Sequence, residues 1–407
     1  MRLIVCSTGI PHRHFHPRLS ASLMTLYSYI EESKRSGVQI LHLMILDRKN
    51  FDEELLQRYR VEQEDDRLTT LVWQTPSYLQ PRRGVFDPIR PLPLPEEYRR
   101  RLREFQPDAV FCLDAYAAGA LKDLKVAPIF VQVHDPKFQT MWYHALYALR
   151  ENPFRPLQPL VDMAKALRWR RYYREALSHA DRVVTVATSG ADALVRMGIP
   201  AQLFPMLWIG VPGADTSMPT HLPSKPTFVF QGNLSGLGSR AALHYLLNRA
   251  FPVIRQHWGR NGFEILLCGS RSLPAWVAER IGDMPEIRFL GFVEDIAALL
   301  RGCHAVLAPI DVPIGNRTRI LTAMALGVPV VTHVSIASAN PHLVDGKTCL
   351  IADAPEEFVS KMIQAFHRGP AIEAIIRNAQ QTYIDTFSPP AATKALLDAL
   401  RVMRRAS

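Results

Sequence analysis

Short apolar runs rich in branched residues alternate with longer helical stretches along this chain, and the whole series occurs twice. The first series is LIVCS, ILHLMIL, TTLVW, AVFCL, IFVQVH and RVVTVA, with helix-like segments such as SASLMTLYSYIEESKRSG between the runs. The second begins at TFVFQG and continues through EILLCGS, IRFLG, AVLAPI, VPVVTH and CLIA. A repeated switch between strand and helix periodicity is what a parallel sheet with helices on both faces requires. Between the two series lies FPMLWIGVPGADTSMPTHLPSKP, rich in Pro and Gly and without a period, which reads as a linker. The expected fold class is α/β: two doubly wound, Rossmann-like domains facing a central cleft. The domains are expected over 1–212 and 213–387, with a final helix over 388–407 packing back on the first. In such sheets ligands bind beyond the carboxyl ends of the strands.

Composition narrows the function classes. The 407 residues are 48% hydrophobic, enough for two cores, and the formal charge of +10 favours anionic partners. Cys6, Cys112, Cys268, Cys303 and Cys349 lie in or beside apolar runs without a C-x-x-C pair, as expected of reduced, buried thiols in a cytosolic protein. The uncharged stretch from Ile320 to Pro341 is divided by Gly327, Pro329, His333 and Asn340, so no transmembrane helix is expected there. The N-terminus opens on a strand and lacks the apolar core of a signal peptide. The chain is therefore expected in the cytoplasm, or at most peripheral to the inner face of the plasma membrane.

Three segments carry candidate chemistry. In FVFQGNLSGLGSRAALHYLL a strand runs into a glycine-rich loop at Gly232, Asn233, Gly236 and Gly238, and a helix follows from near Ser239. Glycines there permit close backbone approach, and a helix N-terminus offers N–H groups to an anion. Arg240 lies within reach of a phosphate or of solvent alone. In EILLCGSRS, Arg271 follows Gly269 at a strand end, where it can meet a diphosphate. The third segment, AVLAPIDVPIGNRTRILTAMALGVPVVTH, is the most specific. Gly315 and Asn316 are placed to expose N–H groups, and Arg317 and Arg319 fall in the first turn of a helix stopped by Gly327 and Pro329. Cations at a helix N-terminus oppose the macrodipole, which suggests that an anion neutralises them; a carboxylate such as Asp311 is the structural alternative.

At this point the chain resembles the retaining glycosyltransferases of family four, of GT-B fold. The resemblance rests on GNRTRILTAMALGVPVV, on FLGFVEDIAALLRGCHAVLAP, and more loosely on VQVHDP and ADRVVTVATSGADALVRMGIP. It implies a His134 that contacts the donor sugar or reacting centre, and arginines 271, 317 and 319 around a diphosphate. The family's two glutamates, eight positions apart, are replaced here by Ile314 and Thr322. Thr322 retains one hydrogen bond for a ribose hydroxyl, and Asp311 is a substitute for the sugar-side carboxylate. The first-strand Arg and Lys of the family correspond to Asn233 and a residue near Ser239.

The first half is less informative. His12, His14 and His16 alternate in PHRHFHP; a metal site there lacks a fourth ligand, and the loop reads instead as an acceptor border. His14, His16 and Asp135 are taken as acceptor-side residues. PLVDMAKALRWRRYYREALSHADR reads as an amphipathic helix with its arginines in water; the sharper alternative is a helix resting on an anionic membrane. No nucleic-acid motif accompanies the charge. The expectation that follows is a hexosyltransferase-type enzyme moving a sugar from a nucleotide diphosphate sugar to a hydroxyl acceptor, with retention and without a metal or other cofactor. Its expected active-site pair is His134 and Asp311. The competing readings are a non-catalytic nucleotide- or glycan-binding protein and a different enzyme on this fold, such as a sugar-nucleotide epimerase.

Overall fold

The structure is a computed structural model that describes residues 1–13, 21–48, 51–80, 87–151, 154, 157–211, 221–234, 236–314 and 317–406. It divides into two compact units, Met1–Leu207 with Pro389–Ser407, and Trp208–Ser388. The division falls at Leu207/Trp208, a few residues before the expected boundary, because Trp208 is already bonded inside the second unit.

The first unit holds β1 (Arg2–Ser7), β2 (Gln39–Asp47), β3 (Leu68–Thr75), β4 (Ala109–Leu113), β5 (Ile129–Val133), β6 (Arg182–Thr185) and β7 (Ala201–Leu203). They form one parallel sheet in the order β3-β2-β1-β4-β5-β6-β7. Strands buried on both faces need side chains that are apolar at every position, which is why these runs do not alternate with polar residues. Ile4, Cys6, Val110, Cys112, Val131 and Val133 share one core, with Trp169, Tyr172 and Tyr173 of the helix Leu157–Leu177 packed into it. Arg404 in the last helix, Pro389–Ala406, pairs with Asp108 at 3.2 Å, and Asp108 also accepts from the backbone N–H of Arg2 at 2.8 Å. The chain's last turn is thereby tied to the start of β1 and β4.

The second unit holds β8 (Thr227–Gln231), β9 (Glu264–Cys268), β10 (Ile287–Gly291), β11 (Ala305–Ala308), β12 (Val330–His333) and β13 (Leu350–Ala352). Their order is β10-β9-β8-β11-β12-β13, all pairs parallel. Counted within the unit this is 3-2-1-4-5-6, so the winding reverses between β8 and β11 and leaves a crevice at their carboxyl ends. The helix Thr318–Leu326 after β11 closes on Gly327, whose left-handed φ of 68° leaves no room for a side chain beside Gln380. Arg317 is the extended residue before that helix and not part of its first turn, with φ −103° and ψ 107°. The helix after β8 starts at Leu237, two residues before the expected Ser239. Trp208 donates its backbone N–H to the Phe387 carbonyl at 2.8 Å, and its own carbonyl accepts from the Tyr383 hydroxyl at 2.7 Å.

At the amino-terminal edge of this sheet, Glu286 is fully buried and grips Arg255 twice, at 2.7 and 3.1 Å, and the Asn261 N–H at 3.1 Å. Glu286→Ala strands Arg255 and should lower the unfolding free energy by about 2–4 kcal/mol in a urea titration. Because the residue lies at the edge opposite the crevice, any nucleotide affinity should be unchanged in the same variant.

Candidate functional site

In the second unit the loops at the reversal point are arranged around two guanidinium groups. Arg319, in the first turn of Thr318–Leu326, passes over the Phe230 ring at 5.0 Å and donates to the Ser239 Oγ at 2.6 Å. Its guanidinium lies against Gly232, the residue after β8, where φ is +143° and a Cβ would collide with Arg319. Arg317 takes the same kind of space beside Gly238, where a Cβ would come within 2.9 Å of its guanidinium. Gly269, after β9, lies so close to Gly232 that a Cβ would stand 2.8 Å from the Gly232 nitrogen. These glycines are therefore room for two arginines and for each other, on loops spaced by parallel pairing of β8, β9 and β11.

The electrostatics of Arg319 set it apart. Burial, and then the neighbouring Arg317, pull its pKa down to about 9, so the group remains a cation at neutral pH. Among the described residues no carboxylate pairs with it, and its buried Nη1 has no hydrogen-bond partner. A buried charge without a counter-charge is costly, and an anion placed at Nη1 removes the cost.

Around this centre the sequence-selected residues are distributed unevenly. Asn233 is exposed in the loop after β8, where its carbonyl accepts from the Gly236 N–H, and Arg240 is half-buried in the helix that follows. Arg271 is exposed in the loop after β9. Gly315 and Asn316 lie outside the described residues. Ile314 is buried. Thr322 is also buried, and its hydroxyl accepts from the Trp208 indole at 2.9 Å, so that hydrogen-bond position is filled from within the domain.

Asp311, half-buried after β11, has a neighbourhood that sequence reading missed. His333 ends β12 and accepts from the Ser335 N–H at 3.1 Å through Nδ1. Its Nε2 stands 3.6 Å from Asp353, and its ring meets Tyr245 edge-on at 5.3 Å. Burial lowers the His333 pKa, while Asp311 and Asp353 pull the other way. A histidine at a strand's carboxyl end in VPVVTH was the available signal.

In the first unit, His134 follows β5 with its Nε2 3.3 Å from Gln132 Nε2, and burial lowers its pKa to about 4. It is therefore a neutral imidazole near pH 7. Asp135 is exposed next to it. His12 is buried, and His14 and His16 lie outside the described residues. The residue missed here is Asp114, at the end of β4 with φ +76°. Its carboxylate accepts from the Ala115 N–H at 2.6 Å, and burial pushes its pKa up to about 6 against the pull of Lys137. Lys137 donates to the Tyr116 hydroxyl at 3.1 Å and sits 4.0 Å over the Trp169 ring. Since the winding of this sheet reverses between β1 and β4, Asp114 stands at its crevice. The acid in CLDAYAAGA, between a strand and a helix of small residues, was the sequence signal.

Two domain families fit the chain. The description "Glycosyl transferase 4-like domain" matches residues 25–205, and "Glycosyl transferases group 1" matches residues 225–368. Both domains are glycosyltransferase domains. Solved structures agree on the GT-B fold of such a glycosyltransferase. A glycosyltransferase from Rickettsia africae is 13% identical with a TM-score of 0.64, over 100% of this chain and 99% of that one. Anabaena Alr3699/HepE in complex with UDP is 15% identical with a TM-score of 0.60, over 98% and 99%. Sucrose-phosphate synthase from Thermosynechococcus elongatus is 13% identical with a TM-score of 0.63, over the whole of both chains. No curated protein matches the sequence at a significant level.

Two substitutions probe how this glycosyltransferase is built. Gly232→Ala should displace the Arg319 guanidinium and strain a backbone at φ +143°, lowering the thermal midpoint by several degrees and weakening nucleotide binding together. Asp114 holds its proton more tightly in the folded chain than at the ordinary 3.8, so its contribution to stability falls as pH rises from about 4 to about 6. Asp114→Asn should therefore gain about 2–4 °C over the wild type at pH 7.5 and no advantage near pH 4, read by thermal unfolding across that range.

Proposed function

We propose that the chain transfers a hexosyl group from a nucleoside diphosphate sugar to a hydroxyl acceptor, with retention of anomeric configuration. The observation that carries this reading is Arg319: a guanidinium whose buried Nη1 has no hydrogen-bond partner and which no carboxylate among the described residues pairs with, at the reversal point of a 3-2-1-4-5-6 sheet and beside a second arginine. When the glycosidic bond breaks, its electron pair stays on the leaving diphosphate and adds one negative charge to the two already there. A cation already desolvated and fixed by Ser239 and Phe230 meets that charge without reorganising. N–H groups at the start of Leu237–Tyr245 and Thr318–Leu326 add to the same field. We assign charge neutralisation to these groups and give no step to a metal ion.

On the sugar side, we assign the part of the missing first glutamate to Asp311 with His333, and the neutral His134 is suited to hydrogen-bond a sugar hydroxyl or the acceptor. The titles of the Anabaena structures name UDP and UDP-glucose as bound molecules, which makes a uridine nucleotide the first donor to try. One observation favours a second reading, a domain that binds without turnover: Ile314 is buried and Thr322 is occupied by Trp208, so neither glutamate position offers a carboxylate.

A thermal-shift series with uridine, guanosine and adenosine diphosphates and their sugar conjugates separates these readings. One nucleotide should raise the midpoint by several degrees at saturating concentration, and Arg319→Ala should abolish the shift while keeping its own midpoint within about 2 °C of wild type. No shift with any nucleotide would remove the donor site. His134→Ala should cut turnover at least tenfold with the donor shift kept. Donor binding with no sugar release or transfer in the wild type would leave the binding-only reading standing.

A further inference from the structure

Large apolar side chains are concentrated on one exposed surface of the first unit. Of the fourteen exposed large hydrophobic residues among those described, seven fall between Trp142 and Leu167. They belong to the helices Lys137–Glu151 and Leu157–Leu177, which pack on each other, and to Phe154 in the turn between them, 92% exposed.

The spacing on the second helix is regular. Leu157, Leu160, Val161, Ala164 and Leu167 are all exposed and recur at three- and four-residue steps, so they form one stripe about 15 Å long. Its inward stripe is separate: Ala166, Trp169, Tyr172, Tyr173, Ala176 and Leu177 are buried in the domain core. At about 100° per residue the two stripes face nearly opposite ways. The outer stripe is thus not core turned outward by chance, because the helix already has a complete buried face.

Continuing the outer stripe toward the C-terminus gives Arg171 and Arg174, eleven and fourteen residues after Leu160 on the same helix face. Both are exposed, as is Arg170, and none of the three is engaged by any ion pair among the described residues. On the neighbouring helix Trp142 and Leu146 add an exposed pair four residues apart. An apolar end bearing an aromatic residue, followed on the same face by unpaired arginines, matches a bilayer interface in chemistry and in order. The apolar part enters the headgroup and acyl boundary, and the arginines meet lipid phosphates. A second copy of the chain fits less well, since it would set the arginines against an uncharged stripe or against each other. No helix among the described residues is long and apolar enough to cross a membrane, so this contact is peripheral.

We propose that the exposed face of this helical hairpin docks on an anionic lipid bilayer. The test is sedimentation of the full chain with sucrose-loaded vesicles of phosphatidylcholine alone, or of phosphatidylcholine with about one third phosphatidylglycerol. Most of the protein should pellet with the anionic vesicles and little with the neutral ones, and raising salt should release it. The variant Phe154→Ser, Leu157→Ser, Leu160→Ser should lose at least fivefold in bound fraction, and Arg171→Glu with Arg174→Glu should lose the preference for phosphatidylglycerol. Both variants change exposed side chains, so their thermal midpoints should stay near wild type. Independently of them, vesicles with brominated acyl chains should quench tryptophan fluorescence of the wild type, and Trp142→Phe should remove much of that quenching. Absence of binding to either vesicle, or equal binding by wild type and variants, would overturn the proposal. So would a dimer, by light scattering, that the serine variant turns into a monomer without any vesicle binding, since the face would then belong to a second copy. None of these readouts involves nucleotide, so failure here leaves the donor site unaffected.

Discussion

A positive charge for which no described residue supplies a counter-charge lies at the strand ends of the second domain. Arg319 is kept from water by Phe230, held by Ser239, and given space by the missing side chain at Gly232. All three contacts come from one short stretch: β8, the helix after it, and the loop that joins them. Arg319 reaches them because β11, which precedes its helix, pairs with β8 where the winding of the sheet reverses. Parallel pairing thus sets the position of the charge at the crevice.

The first domain handles polarity differently. At its own reversal point the described groups are His134, made neutral by burial, and Asp114, drawn toward its protonated form. Lys137 is exposed and lies over the Tyr116 and Trp169 rings. With the exposed Asp135 and Lys137 beside them, this crevice combines a neutral imidazole with groups of both charges, whereas the described groups at the other are arginines. The contrast follows from which residues end the strands, since both sheets use the same winding.

Much of this was legible along the chain. Strand and helix periods gave both sheets, and the glycine and proline after TAMAL marked where the helix Thr318–Leu326 stops, because those signals are local. The role of the glycines was not legible: GNLSGLG reads as backbone room for a phosphate, whereas Gly232 and Gly238 make room for side chains roughly 80 residues away. Thr322 likewise reads as an available hydroxyl until Trp208, 114 positions earlier, is seen to donate to it. Asp114 and His333 carried a signal, a polar residue at a strand's carboxyl end. Their burial, which gives them their chemistry, depends on tertiary packing that no local pattern encodes. The outer stripe on Leu157–Leu177 was half visible: the arginines stood out, while the leucines passed for core.

The bonds around Trp208 have a consequence for how the molecule can be rebuilt. Trp208 opens the second unit and is tied to Phe387 and Tyr383 at its close, so the polypeptide comes in and goes out at one spot. The second unit is in effect a bead on a loop, with both of its ends knotted together by backbone and phenol hydrogen bonds. Such a bead is a natural unit for transplantation: residues 208–388 can be lifted out and grafted, or exchanged for another domain, through its two adjacent ends.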